Sequence, residues 1–556
     1  MLFLLLTVVT TPVIASSVMD EGAVGKKEVV LTRSKPLEKQ LIERDVTYVV
    51  KRIHNLKGKK VALPYGCCLK FKGGSIFNGT LVGAETIIEN GNENSFKQLA
   101  LGGSWKPAAV SPEWFGAKGN GIEDDTKALQ EAADFATGTT LRLTKNKKYK
   151  YTEGITIHSN TSIDGNGSTI VKACYNSFLH NMNCNADVID ENITISGLNG
   201  ITLNDSYRGL WLWMVGIKGL KISNCCFSNH TPLDKEQQSQ WCITVSGEDI
   251  DINNCCIDNS GGGLFSDGIH VFNAVNCSIH DCVINTEDDC IGFAPEIPKS
   301  QVDYDKFNSL STDIRIYGNR LTGSRNCIRF EVRENAPPIF AYQDVNISDN
   351  VLDGTVTSVG SFLYLHDYRK QNLFLNDSYS ISNVTVEGLL KGGGQNFIEV
   401  FGKNPEKLPK DVVNIKNVYI SGIKANMKEF ENYIRCIGVD DLVIDNCDFN
   451  AIDSSMTELR IRDCSNVTVE DCNFTTFSHY PFIHVNNSAG RIYNNRIERL
   501  MPDNNAGIGI YLDDSNEMEV DDNKITNFEI GFHDTRVLKP QDTNKYYHCN
   551  INVQKK

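Results

Sequence analysis

The sequence lacks the features of two common classes of protein. It has no excess of basic residues, because 55 Lys and Arg stand against 69 Asp and Glu, for a formal charge of −14. Nucleic acid and anionic membrane surfaces are therefore unfavourable partners. After the opening residues, no stretch approaches the ~18 consecutive apolar residues of a membrane helix. We expect neither a nucleic-acid partner nor insertion into a membrane.

The 18 cysteines also lack a metal-site pattern, because no CxxC pairs occur at a spacing suited to zinc. They recur at matching places in similar segments, such as "ISNCCFSN", "INNCCIDN" and "VEDCNF". A free cysteine behaves as a small buried hydrophobe, so stacked copies could fill a repeating core. We expect stacked core thiols, and several disulfides are the alternative for an exported protein.

The first 17 residues, MLFLLLTVVTTPVIASS, are an apolar run followed by small residues. Val13-Ile14-Ala15 is an acceptable cleavage site. The segment 1–17 therefore indicates a secretory signal peptide and predicts a secreted or periplasmic protein.

A short phrase of alternating polar and apolar residues recurs from about residue 219, as in "GLKISNCCF" and "NVTVEDCNF". Between neighbouring copies its central aliphatic residue returns after 23 to 37 residues. These copies centre on Ile222, Ile252, Ile279, Ile316 and Ile347, and later on Ile444, Val469, Ile492 and Val520. Alternation predicts strands, and Asn, Asp or Gly at a constant offset predicts turns. The sequence therefore predicts an all-β solenoid, a parallel β-helix of three-strand coils over residues 106–556.

One amphipathic helix is predicted in "DDTKALQEAADFA", with Asp124 or Asp125 as its N-cap. Its apolar face consists of Leu129, Ala132, Ala133 and Ala136. Because a β-helix leaves an open strand edge at its end, we expect this helix to cap the first coil. Short strands and Gly-rich turns over residues 18–105 predict a small N-terminal β element ahead of the solenoid.

The segment "WFGAKGNGIEDDTKALQ" resembles the entry motif of the pectate-lyase-like right-handed β-helix superfamily. Many polysaccharide-acting enzymes and phage tailspikes share that fold. The resemblance implies a right-handed solenoid, and it concerns the fold rather than the chemistry.

The section from Arg208 to Tyr368 resembles the polygalacturonases, glycoside hydrolase family 28. Asp267 of "SDGIH" matches the family's first acid, and Asp288 and Asp289 of "EDDCI" match its acid pair, 21 and 22 residues later. "SQWCITV" resembles the Trp-containing strand one coil earlier. The resemblance implies substrate-binding roles for Arg329 of "NCIRFEV" and Tyr368 of "LHDY".

The sequence departs from the family pattern in three places. Phe265-Ser266 replaces the Asn-Thr before the first acid, and no His-Gly strand is visible between Asp289 and Arg329, where Asn326-Cys327 is the nearest match. Glu331 stands where the family has a Lys that binds a uronate carboxylate. We therefore expect plain polygalacturonate to be a poor substrate.

The three acids can be brought together by aligning Ile269 and Val271 with Ile291 and Phe293. This register stacks Asp267 on Asp289, which places the carboxylates within roughly 5 to 7 Å at the backbone. They face outward only if the chain turns a corner at Gly268 and Cys290. Such crowding raises the pKa of one group, as acid catalysis near neutral pH requires. A solvated turn and a calcium site are the alternatives.

The family resemblance implies Asp288 as the general acid, Asp267 and Asp289 as the holders of the attacking water, and inversion of configuration. His270 is expected to be an exposed neutral residue, with substrate contact as the alternative. Arg329 and Glu331 share one strand face, where they either pair or line the cleft. Tyr364, His366 and Tyr368 also share one face of their strand, which suits either a sugar-stacking wall or an ordinary β-helix flank.

We therefore predict an exported glycoside hydrolase that is active on a polysaccharide or oligosaccharide. It is expected to need no cofactor or metal, to bind carbohydrate and to be a monomer. A calcium-dependent lyase, in which Arg329 abstracts the proton, is one alternative. A non-catalytic glycan-binding or tailspike-like protein is the other.

Overall fold

The structure is a computed structural model. It describes residues 27–186, 188–202, 210–229, 241–260, 266–294, 310–323, 325–332, 341–353, 358–359, 361–367, 379–382, 385–387, 390–392, 396–402, 415–452, 458–501, 506–515, 517–535 and 542–555. The predicted signal peptide and Tyr368 lie outside these residues. Within them, no helix has the length and apolar character needed to cross a bilayer.

The chain divides into two compact units, Met1–Pro107 and Ala108–Lys556. The first unit contains parallel strands and one 3-10 helix, Leu37–Lys39. Its strands are Glu28–Val30, Thr47–Val50, Ile53–Asn55, Lys60–Ala62, Cys68–Phe71, Ser75–Phe77, Gly79–Glu89 and Leu99–Pro107. Buried side chains such as Val49, Leu69 and Phe71 fill this unit's own core.

The second unit begins with the predicted amphipathic helix, which spans Thr126–Phe135 and follows a 3-10 helix, Pro112–Phe115. The four predicted apolar positions, Leu129, Ala132, Ala133 and Ala136, are all buried. Asp125 is the N-cap residue, but its carboxylate accepts the N–H groups of Lys118 and Gly119, at 2.6 and 3.0 Å. Asp124 Oδ1 instead accepts the first helical N–H, that of Thr126, at 3.0 Å.

The rest of the second unit is a parallel solenoid with two sheets. The strands of the larger sheet are Thr140–Arg142, Ile155–Ile157, Ser162–Asp164, Leu179–Asn181, Asp190–Ser196, Leu212–Ser223, Ile243–Asn253, Ile269–His280, Asp289–Phe293, Leu310–Tyr317, Asn326–Val332, Ala341–Ser348, Ser361–Asp367, Tyr379–Ser382, Asn396–Phe401, Ile415–Ser421, Asn432–Ile437, Val439–Asp445, Glu458–Arg462, Val467–Glu470, Ile483–Asn486, Ala489–Tyr493, Ile508–Asp513, Glu517–Asp521, Ile530–Asp534 and Ile551–Lys555. The strands of the smaller sheet are Asn120–Asp124, Lys148–Tyr151, Thr169–Lys172, Asn199–Thr202, Cys226–Ser228, Cys256–Asn259, Val283–Thr286, Arg320–Gly323, Val351–Asp353, Ser358–Val359, Thr385–Glu387, Leu390–Gly392, Lys424–Lys428, Asp448–Ala451, Asn473–Thr476, Arg496–Arg499, Lys524–Thr526 and Lys545–Tyr547.

Each coil contributes to three faces. The long strand Ile269–His280 pairs through its first half with Asp289–Phe293 and through its second half with Leu310–Tyr317. It therefore bends across a corner, and the larger sheet covers two faces while the smaller sheet covers the third. The predicted parallel β-helix is confirmed.

The residues that repeat in the sequence are those that pair with each other on neighbouring coils. Ile222, Ile252, Ile279, Ile316 and Ile347 are successive partners, and all five are buried in the core. The turn that follows each of these strands holds a residue with positive φ, between 51° and 64°: Asn224, Asn254, Asp281, Gly318 and Asp349. Asn, Asp and Gly tolerate this left-handed conformation, which explains their constant offset.

All 18 cysteines are free thiols, and 14 of them are buried. Cys225, Cys255 and Cys282 occupy equivalent places on successive coils, where each thiol donates to the carbonyl two residues before it. The expectation of stacked core thiols is therefore confirmed, and the alternative of several disulfides is wrong. Each of these three thiols lies in the turn after a strand of the larger sheet and donates to the carbonyl of the last residue of that strand.

Candidate active site

The predicted register at the acids is present. Ile269 pairs with Ile291 and Val271 with Phe293, and the Gly268 N–H donates to the Asp289 carbonyl at 2.9 Å. One oxygen from each of Asp267, Asp288 and Asp289 lies within 4.8 Å of the others. The structure therefore brings the three acids into one cluster, as the spacing predicts.

The carboxylates lie on the outer side of the sheet. Gly292 occupies an outward position between the core residues Ile291 and Phe293. A Cβ added to Gly292 would meet Asp267 Oδ2 at 2.9 Å and Asp289 Oδ2 at 3.6 Å. The absence of a side chain at Gly292 is thus what leaves room for the two carboxylates.

Asp267 is fully buried and held by His270. The His270 Nδ1 lies 2.7 Å from Asp267 Oδ2, and the His270 ring is itself fully buried. The indole of Trp241 stacks on that ring at 3.8 Å between centroids and 11° between planes. The expectation that His270 is exposed is therefore wrong: its position points outward, but a side chain from the neighbouring coil covers it.

Arg329 connects the other members of the cluster. Its Nε lies 2.5 Å from Asp289 Oδ2, and its terminal nitrogens lie 3.8 Å from Asp267 Oδ2 and 2.9 Å from Glu331 Oε2. The side chain is 15% exposed. Of the two roles expected for Arg329 and Glu331, pairing with each other is present, but the same guanidinium also bridges to the acids.

Asn326 completes the surroundings of Asp289, because its Nδ2 donates to Asp289 Oδ1 at 2.7 Å. It lies in register with Asp289 although 37 residues separate the two positions. This is the place where the sequence shows no His-Gly strand, and the amide supplies a hydrogen bond to the acid there.

Asp288 lies nearest to the surface of the three, with 3% of the residue exposed. The guanidinium of Arg325, whose side chain is 51% exposed, lies 3.5 Å from Asp288 Oδ1. Sequence reasoning missed Arg325, and it also undervalued Asn326. The signal for both residues is their place at the beginning of Asn326–Val332, the strand that pairs with Asp289–Phe293 on the next coil: Asn326 is its first residue and Arg325 directly precedes it.

Burial and crowding change the acidity of the cluster. Burial raises the pKa of Asp267 to about 7, with Arg329 opposing the rise and Asp288 adding to it. Burial also raises the pKa of Asp289, against the effect of Arg329. Burial opposes the charged form of Arg329, but Asp289 and Asp267 outweigh it and raise the pKa of that guanidinium. The cluster can therefore hold both a proton and negative charge near neutral pH.

The three carboxylates are also the residues that could hold a hard cation such as calcium. Arg329 already places a positive group 2.5 Å from one of the ligand oxygens. A metal ion there would have to displace or repel that guanidinium.

A cleft of about 1180 Å³ lies on the N-terminal side of the acids. Tyr175, His180, Trp213 and Trp241 are among its lining residues, together with polar groups of the capping helix. Because Trp241 also stacks on His270, the cleft reaches the residue that holds Asp267. Aromatic faces beside polar groups are suited to binding sugars.

On the C-terminal side, Tyr364 is in register with Arg329, and its ring stacks on His366 at 3.6 Å. The His366 Nε2 lies 2.9 Å from Glu399 Oε1. Tyr364 is half-buried, whereas His366 is buried. Of the two members of the predicted aromatic stripe that the structure describes, Tyr364 is therefore the one with surface open to a ligand.

Two family models match separate parts of the chain. The model described as right handed beta helix region matches residues 406–555. The model described as glycosyl hydrolases family 28 matches residues 214–302, the segment that contains Asp267, Asp288 and Asp289. The resemblance to family 28 is confirmed. The solenoid is a right-handed β-helix, as the resemblance of "WFGAKGNGIEDDTKALQ" to the pectate-lyase-like superfamily implies.

Proteins similar to this family-28-like chain include phage and bacterial proteins. Depolymerase 1, capsule K30/K69-specific, of Klebsiella phage K5-2 is 28% identical over 30% of this chain and 25% of its own length. The chain thus spans about a quarter of that relative. The family 28 exopolygalacturonase of Yersinia enterocolitica is 14% identical, with a TM-score of 0.40 over 81% of this chain and 79% of that one. The tailspike protein mutant of E. coli bacteriophage HK620 in complex with hexasaccharide is 14% identical, with a TM-score of 0.46 over 81% and 80%.

Proposed function

We propose that this protein is a glycoside hydrolase that cleaves a polysaccharide. The observation that carries the proposal is the buried cluster of three carboxylates, in which the pKa of Asp267 is raised to about 7. Glycoside hydrolysis needs a protonated carboxyl for the leaving oxygen and an ionised one for water or the anomeric carbon. The three crowded carboxyls titrate as one group and share the proton that burial retains, so in this proposal Asp288 delivers that proton to the leaving oxygen while Arg329 stabilises negative charge on Asp289.

In this proposal Asp288 is the general acid. It lies nearest to the surface of the three acids, where a glycosidic oxygen can reach it, and Arg325 lies beside it. Asp267 and Asp289 hold the attacking water, and His270, Asn326 and Arg329 fix their orientation. These roles, and inversion at the anomeric carbon, rest on the likeness to family 28.

The substrate class that we propose is a microbial surface polysaccharide rather than plain polygalacturonate. The phage relative is named for the capsule on which it acts. Glu331 adds a negative charge beside the acids, where a uronate carboxylate would be repelled. We propose further that the protein is exported and acts as a monomer, which fractionation and size-exclusion chromatography of the full chain would test.

The test is the Asp288→Asn variant, assayed for new reducing ends on a panel of capsular, pectic and neutral glycans. We expect turnover to fall by about 10²- to 10⁴-fold, as is typical for loss of a general acid. The matched control is Asp441→Asn, an exposed residue within strand Val439–Asp445 whose φ of 59° is a conformation that Asn also adopts. Wild-type activity in Asp288→Asn, with an unchanged circular dichroism spectrum, would refute the assignment.

A calcium-dependent lyase is the second candidate, because the three carboxylates could hold a cation. It requires a neutral Arg329 as the base, and the raised pKa of Arg329 opposes that. Excess chelator should leave the activity unchanged, and the products should lack ultraviolet-absorbing unsaturated ends. Binding without any product after prolonged incubation would instead favour a non-catalytic glycan-binding protein.

A further inference from the structure

Arg329 belongs to a row of outward-facing residues that occupy the same register position on successive coils. Toward the C-terminus this row contains basic residues. Its successive members are Arg329, Tyr364, Glu399, Arg435, Arg460 and His484. Arg435 and Arg460 follow each other in this row and are direct neighbours on adjacent coils. Adjacent parallel strands lie ~4.8 Å apart, so the two arginine side chains start from neighbouring positions on the same face.

Neither arginine forms an ion pair within the part of the chain that the structure describes. Arg435 lies over the Phe401 ring, 5.0 Å from its centroid, and interacts electrostatically with Glu399, its register neighbour on the preceding coil. Arg460 affects Glu458 and His484 electrostatically but forms no ion pair with a described residue. Like charges in register on neighbouring strands are destabilising, so an anion between them would be favourable.

A cavity of about 270 Å³ opens beside Arg460, the second arginine of the pair. Its wall consists of Arg460, Ile461, Arg462, His484, Asn486 and Asp513. The cavity is not purely basic, because Asn486 donates to Asp513 at 3.0 Å and Arg462 Nε lies 3.5 Å from Asp463 Oδ2.

Two polar atoms on this face support a ligand. Arg435 Nε and, in the cavity wall, His484 Nε2 are buried, and no described residue supplies either with a hydrogen-bond partner. Buried polar atoms of this kind are normally paired, so each one calls for a partner from outside the chain. A planar carboxylate matches an arginine fork through two parallel hydrogen bonds.

We propose that Arg435, Arg460, Arg462 and His484 form a binding site for the carboxylate of an acidic sugar. As a subsite for the cleaved glycan, it rests on the function proposed above. Four coil steps separate Arg329 from Arg460, which is roughly 19 Å at ~4.8 Å per step. A polysaccharide laid along this face therefore places a non-acidic residue against Glu331 and an acidic residue at the arginines.

The experiment measures binding of trigalacturonate by isothermal titration calorimetry to the full chain. The comparison ligand is the same trisaccharide with its carboxyl groups reduced to alcohols. The variants are Arg460→Gln and Arg435→Gln. The control is Arg496→Gln, which removes an exposed arginine from the other sheet, where it pairs with Glu498.

We expect Arg460→Gln and Arg435→Gln each to weaken trigalacturonate binding about tenfold to a hundredfold, the range for a hydrogen bond to a charged group. Arg496→Gln should bind as the wild type does, and the reduced trisaccharide should bind weakly to all forms. Equal binding of the reduced trisaccharide, or unchanged affinity in Arg460→Gln, would overturn the proposal. Displacement of trigalacturonate by an equal concentration of inorganic phosphate would also overturn the assignment to a sugar.

The Asp288→Asn variant separates this site from the proposed reaction. If that variant binds trigalacturonate with wild-type affinity, the acidic-sugar site stands independently of the chemistry at the three acids. A protein that binds trigalacturonate through the arginines but cleaves no glycan would contradict the proposed function and leave the site intact.

Discussion

The fully buried carboxyl of Asp267 should make the stability of the fold depend on pH. Its folded-state pKa of about 7 lies above its ordinary value of 3.8. Between these values the folded protein binds the proton more tightly than the unfolded chain does, so the stability that the group contributes is full below about pH 4 and is lost as the pH rises to about 7. At ~1.4 kcal/mol per pH unit, the loss from this one group amounts to about 4 kcal/mol.

The assay is chemical unfolding at several values between pH 4 and pH 8, followed by tryptophan fluorescence. We expect the free energy of unfolding of the wild type to fall across this range, and Asp267→Asn to make that fall smaller. Asp289 adds a slope of the same sign, because burial raises its pKa too. Asp441→Asn, at an exposed strand position, should keep the wild-type slope. If Asp267→Asn left the slope unchanged, Asp267 would not hold a proton near neutrality and its proposed electrostatic role would be wrong.

Three further results are expected. Glu331→Lys should raise cleavage of plain polygalacturonate, because like charges ~4 Å apart at a surface-like dielectric cost about 4 kcal/mol before screening and before compensation by Arg329; unchanged specificity would show that Glu331 does not face the substrate. Trp241→Ala should shift the acidic limb of the pH–rate profile, because it removes the ring that stacks on His270 at 3.8 Å; a lower rate with an unmoved profile would indicate lost packing alone. A strong reductant should leave the melting temperature unchanged, because all 18 cysteines are free; a lower melting temperature would reveal a disulfide.

The register of the acid cluster could be predicted because two adjacent strands carry the same apolar alternation. Ile269 and Val271 align with Ile291 and Phe293 without an intervening loop. The pairing with the next coil could not be aligned in the same way. The strand that pairs with Asp289–Phe293 begins only at Asn326, and the interval includes residues 295–309, whose sequence matches no part of the preceding coil. A hydrogen bond from Asn326 to Asp289 across 37 residues has no local signature.

The burial of His270 could not be predicted for a different physical reason. Strand alternation indicates which face of the sheet a residue occupies, and for His270 that face was the outer one. Whether an outward side chain is solvated depends on its neighbours in adjacent coils, here Trp241, and on the Asp267 carboxylate. The same holds for Arg329, whose pairing with Glu331 follows from one strand while its contacts with the acids come from other coils.

The coil-on-coil pairing of the solenoid has a consequence for how substitutions combine. Each coil contacts chiefly the coils directly before and after it, so strain and charge are shared over one or two steps rather than through a common core. Asp267 and Arg329 lie within that range, and the free-energy effects of replacing both should not be additive. Asp288 and Arg460 lie outside it, so their effects on folding should simply add. A substitution at Asp288 and one at Arg460 can therefore be combined in one protein, and the stability of the combined variant should follow from those of the two single variants.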